Sequence, residues 1–77
     1  MKKEKIIYIN HIEKAKNFSN RAMQLGTDVT LKSQDGRYIV DAKSIMGIFS
    51  LDLSNEVIVE YDENEVEFEK FLKGLVR

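Results

Sequence analysis

The chain offers one imidazole, His11, and no thiol. Disulfide scaffolds, thiolate metal sites and cysteine nucleophiles are therefore excluded. A lone histidine with no second histidine, cysteine or gathered carboxylates is a poor metal ligand, so neither a metal nor another cofactor is expected. Asn10 and Glu13 flank His11 at a spacing of three. That is the spacing of a capping box, in which Asn10 would accept from the Glu13 amide and the Glu13 carboxylate would reach back to the Asn10 amide. Ser44 stands before the apolar run Ile45-Met46-Gly47-Ile48-Phe49, where a hydroxyl caps a helix. No acid-base pair, nucleophile triad or glycine-rich phosphate loop accompanies these residues, so an independent enzyme is not expected.

The elements that must hold these side chains are short. At 77 residues the chain has room for a single domain, 1–77, and its mix of 43% apolar and 32% charged residues is that of a folded protein rather than a disordered one. Lys and Arg number 12 against 13 Asp and Glu, a net charge of −1 that gives no electrostatic footprint for nucleic acid. The Lys2, Lys3, Lys5 cluster reads as a solvated terminus. The longest apolar run, Ile6 to Ile9, is far short of the roughly 20 residues that span a bilayer, and no apolar segment of a secretory signal follows the basic start. No membrane insertion is expected, and a cytoplasmic location is.

Ile6-Ile7-Tyr8-Ile9 is β-branched and aromatic and predicts a first strand. Ile12, Ala15, Phe18, Ala22, Met23 and Leu25 recur at helical spacing and predict a helix with these residues on its buried face, stopped by Gly26 in a left-handed cap. Val29-Thr30-Leu31 and Tyr38-Ile39-Val40 flank Asp35-Gly36, a hairpin signal. A short helix follows Ser44, then a strand over 56–61. Asp62 is expected to open a final helix burying Val66, Phe71, Leu72 and Leu75, with Phe68 joining them or lying at the edge. The order β-α-β-β-α-β-α in so few residues predicts an α+β fold: one antiparallel or mixed sheet with its helices stacked on one side.

The stretch Asp41-Ala42-Lys43-Ser44-Ile45-Met46-Gly47-Ile48-Phe49-Ser50-Leu51 resembles the most characteristic segment of the HPr family, the histidine-containing phosphocarrier proteins of the phosphoenolpyruvate-dependent sugar phosphotransferase system. Asp28 to Leu31 resembles that family's second strand, and the element order matches along nearly the whole chain. The resemblance implies an open-faced sandwich, a four-stranded antiparallel sheet with three helices on one face. It places His11 on the phosphorylated histidine and Ala15 on the family's alanine, while Ile9, Glu13 and Lys14 replace a glycine, an arginine and a proline. Ser44 corresponds to a serine that a dedicated kinase phosphorylates in low-GC Gram-positive relatives, with Lys43 as an adjacent cation. Ile45, Met46 and Phe49 resemble the exposed docking patch for partner proteins, which leaves Ile48 and Leu51 to point inward. The implied partners are phosphotransferase-system proteins and an HPr kinase.

Phosphoryl acceptance needs a neutral imidazole nitrogen and a means of holding a dianion, supplied by open helix amides and a nearby cation. Glu13 reverses the sign of the second requirement. A unit-charge pair about 4 Å apart is worth about 1 kcal/mol in water and about 4 kcal/mol where it is partly shielded. Lys14 offers a cation without arginine's two-pronged donor geometry. The expected function is therefore a protein-binding or regulatory module with impaired phosphohistidine chemistry; the alternative is a working carrier that passes phosphate from His11 to sugar-transport components.

Overall fold

The computed structural model describes all residues, Met1–Arg77. In chain order the elements are β1 (Lys2–Ile7), α1 (Ile12–Met23), β2 (Thr30–Ser33), β3 (Ile39–Asp41), α2 (Ile45–Phe49), β4 (Val57–Asp62) and α3 (Val66–Lys73). The four strands form one sheet in the order β1-β4-β2-β3, and every pairing is antiparallel. The expected α+β architecture and element order are both present.

Register sorts the side chains onto two faces, because successive strand residues alternate. Ile7 pairs with Val57, and Leu31 pairs with Val59 and Val40; these residues face the helices. One position along, Ile6 pairs with Ile58, and Lys32 pairs with Ile58 and Ile39, on the open face where Ile6 and Ile39 stay exposed. All three helices cover the first face, where Phe18 of α1, Ile48 of α2 and Phe68 and Leu72 of α3 join one core. Phe68 sits at the centre of its aromatic part, with ring centroids 5.9 Å from both Phe18 and Tyr61. Such tilted and edge-on pairs favour the opposite charge of ring faces and rims.

Several boundaries differ from the sequence expectation. β1 begins at Lys2, because pairing with β4 rather than apolar content sets its length. Its lysines lie on an edge strand, where charge discourages pairing with another chain. α1 buries Ala15, Phe18, Ser19 and Ala22, whereas Ile12 is 63% and Met23 59% exposed, so the buried stripe is narrower than the apolar one. Gly26 is not a left-handed cap: Gly36, at φ 76°, is the chain's sole residue of positive φ, in the expected hairpin turn. α1 instead ends on Gln24 in a right-handed conformation. Asp62 closes β4 rather than opening α3, and its carboxylate accepts from the Asn64 amide at 2.8 Å. Val66 is exposed, Phe71 is only partly buried and Phe68 is fully in the core, while Leu72 and Leu75 are buried as expected.

Candidate functional site

β1 delivers the chain to the start of α1 through Tyr8, Ile9 and Asn10. Ile9 is buried and anchors this approach, while Asn10 and His11 are exposed. His11 is the N-cap residue of α1, in extended conformation (φ −111°, ψ 144°), and its carbonyl accepts the first helical bond, from the Ala15 amide at 3.0 Å. No side chain caps this end. The capping box expected between Asn10 and Glu13 is therefore absent: with His11 at the cap, Asn10 lies one residue outside the helix and Glu13 becomes its second residue. Ala15 supplies the first bonded amide, which leaves the N–H groups of Ile12, Glu13 and Lys14 directed out of the helix end without a protein acceptor. Glu13 and Lys14 are both exposed, and neither belongs to an ion pair. The helix end thus combines open amides, which attract an anion, with a free carboxylate, which repels one.

The chain terminus lies beside this approach. The Tyr8 amide donates to the Leu75 carbonyl at 2.8 Å, and the Arg77 guanidinium stacks 4.3 Å from the centre of the Tyr8 ring. Arg77 also lines a groove of about 600 Å³ together with Ser50, Leu51, Glu56 and Val57. Sequence reasoning missed Arg77. No local pattern marks it, because its position follows from the way β1 and the segment after α3 meet.

α2 is built on different terms. The Ser44 hydroxyl accepts from the Gly47 amide at 3.2 Å, the expected cap, and Ser44 itself is exposed. α2 lies against β3 at Gly47, where a Cβ would stand in ordinary van der Waals contact with Val40, 3.4 Å from its Cβ. Lys43 does not serve as a free cation beside Ser44, since its ammonium donates to the Leu25 carbonyl at 2.8 Å and satisfies the end of α1. On α2, Met46 is 79% and Phe49 43% exposed, while Ile48 and Leu51 are buried, as expected. Ile45 departs from the expected patch, because it is partly buried and packs on the core. It also lines a cleft of about 400 Å³ between the two helices with Lys16, Asn20 and Met23. Met23, assigned from sequence to the buried face, therefore belongs to this outer surface.

The largest titration shift lies away from the helix end. Burial pushes the Tyr61 phenol up to about 12, assisted by its 2.8 Å hydrogen bond to Glu69. Glu69 is held below the usual carboxylate range by the Lys3 ammonium and by Tyr61. No three His, Cys, Asp or Glu side chains come together as a metal-holding group.

No protein-family model and no curated protein matches this sequence. Among solved structures, the crystal structure of HPr-C-His from Thermoanaerobacter tengcongensis is similar, with a TM-score of 0.70 and 30% identity over 96% of this chain and 90% of that one. Agreement of fold and sequence over almost the full length of both chains makes this protein a divergent member of the HPr family.

Proposed function

We propose that this HPr-family protein serves mainly as a protein-docking or regulatory module of a phosphotransferase system, with phosphoryl chemistry at His11 weakened by Glu13. The observation that carries this reading is the unpaired Glu13 carboxylate in the first turn of α1, where the family has an arginine. An exposed helix terminus offers an anion about 0.3–1 kcal/mol per charge. A carboxylate about 4 Å away opposes it by about 1 kcal/mol in water and more where solvent is displaced by a docked partner. The apolar face of α2 is kept, with Met46 and Phe49 outward and the Met23 cleft beside them, and an exposed patch of this kind suits protein partners. Ser44 is the regulatory position in this reading: a phosphate on a helix-capping serine meets favourable electrostatics. No helix is long and apolar enough to cross a membrane.

A second reading, a working carrier, is favoured by one specific observation. The capping box is not formed, so the amides at His11 are open to a phosphoryl group. Incubation with phosphoenolpyruvate, magnesium and the system's first enzyme separates the two. Slow acid-labile labelling of His11 that accelerates in Glu13→Arg supports the first reading; rapid labelling of the native protein with no gain in the variant establishes the second. Incubation with ATP and an HPr kinase tests Ser44, where acid-stable label is expected and its absence removes the regulatory role.

A further inference from the structure

We infer that the open face of the sheet, away from the helices, is a docking surface for a basic amphipathic helix of a protein partner. It stands apart from phosphoryl chemistry at His11 and from Ser44, because neither residue belongs to the sheet. Register sets two rows of side chains next to each other across all four strands. Ile6, Ile58, Lys32 and Ile39 form one row, and Glu4, Glu60, Thr30 and Asp41 form the next. Ile6 is 49% and Ile39 64% exposed, and Ile58 is half-buried. With strands about 4.8 Å apart, the apolar row is about 14 Å wide, and the acidic row lies about 7 Å from it.

Lys32 does not break the apolar row with a free charge. Its side chain crosses β4 to an ion pair with Glu4 on β1, so the ammonium leaves for the acidic row while the aliphatic stem starts between Ile58 and Ile39. Glu60 and Asp41 are left without a cationic partner. Neither takes part in an ion pair, and Asp41 accepts only from the Lys43 amide at 2.9 Å. The lysines of β1 do not reach them, since Lys3 pairs with Glu69 of α3 and Lys2 donates to the Asp28 carbonyl at 3.1 Å. Uncompensated negative charge therefore borders exposed isoleucine. A helix with an apolar stripe and lysine or arginine along one flank matches both rows. Two to three helical turns advance about 11–16 Å, so such a helix laid across the strands spans Ile6 to Ile39 and sets its flank over Glu60 and Asp41. The sign disfavours other occupants. Nucleic acid and an anionic membrane surface are repelled by these carboxylates. A second copy packed face to face with its rows in register would set the acidic row against itself.

A synthetic helical peptide of about 18 residues tests this, with leucine on one stripe, lysine on its flanks and alanine elsewhere. Its control carries glutamate in place of lysine. Each is titrated into isotope-labelled protein and binding is read from amide NMR shifts. The lysine peptide is expected to shift the amides of Ile6, Ile58, Ile39 and Glu60, and the glutamate peptide to bind about tenfold more weakly. The double variant Glu60→Gln/Asp41→Asn, in which asparagine keeps the oxygen that accepts from Lys43, should weaken the lysine peptide about three- to tenfold. Salt at about 0.5 M should narrow that gap. Ile39→Thr keeps a β-branched residue in β3 and should weaken binding by a similar factor. Equal affinity of the two peptides overturns the choice of a basic partner. Shifts confined to α1 and α2, or no binding at millimolar peptide, overturn the site itself. A native dimer in sedimentation that Ile39→Thr dissociates makes a second copy the occupant and overturns the inference as well.

Discussion

The two helix starts nearest the proposed chemistry solve the same problem in opposite ways. At α2 the exposed amides meet their own cap, the Ser44 hydroxyl on the Gly47 amide. At α1 the cap position is held by His11, whose ring makes no such bond, and three amides face outward. A side chain at a helix start either satisfies the helix or remains free for other chemistry. Ser44 contributes stability, and His11 forgoes it. An asparagine or serine at position 11 would make the helix start more stable, and α3 likewise begins without a side-chain cap, at Glu65. Glu13 then adds a second contrast, since acidic residues suit a helix start in general and oppose an incoming anion in particular.

The largest expected effect comes from reversing that charge. Glu13→Arg replaces one repulsive unit charge with an attractive one, a change of about 2 kcal/mol even in well-screened surroundings, or about thirtyfold in the rate of phosphohistidine formation. Acid-labile label counted over time checks it, and an unchanged rate would remove the electrostatic account of the α1 site. Next in size is the loss of the closed cap. Ser44→Ala should lower unfolding free energy by about 1 kcal/mol in urea titration, with the slope against denaturant unchanged. A loss of similar size on adding a phosphate to Ser44 would contradict the view that this helix start welcomes negative charge.

The converse substitution sharpens the comparison further. His11→Asn should abolish acid-labile label and raise stability by about 0.5–1 kcal/mol, because asparagine supplies the hydrogen bond that the imidazole does not. If stability falls instead, His11 holds the helix start through contacts other than capping, and the contrast between α1 and α2 loses its force.

What could be read from sequence follows the range of the interactions involved. The Gly36 turn, the Ser44 cap and the inward direction of Ile48 and Leu51 are settled within a few residues, and local pattern anticipates all of them. The resemblance assigns His11 to the family's histidine, and the structure sets that residue at the start of α1. The state of that helix start was not legible, since a shift of one residue in where α1 begins decides whether Asn10 or His11 is the cap. Ile12, Met23 and Val66 mislead for another reason: helical period groups apolar residues on a stripe but does not say how much of it the sheet covers. Lys2 to Lys5 enter β1 because β4 lies alongside, and Arg77 reaches Tyr8 because the chain's two ends converge. Both depend on partners more than fifty residues away in sequence.

The smallest effect concerns Lys43, which links the two helices under comparison. Its ammonium bonds to the Leu25 carbonyl, and its own amide is held by the Asp41 carboxylate at 2.9 Å, so the residue just before the α2 cap stabilises the end of α1. A cation there also complements the negative end of the helix dipole. Lys43→Met keeps the aliphatic stem and removes the bond and the charge, and should lower stability by about 0.5 kcal/mol. If Lys43 acts only on the fold, a kinase should label Ser44 at the same rate in the variant. A marked fall in that rate with little change in stability would show the ammonium leaving Leu25 to meet phosphate at Ser44, and would make the closed start of α2 a charge-sensitive site in its own right.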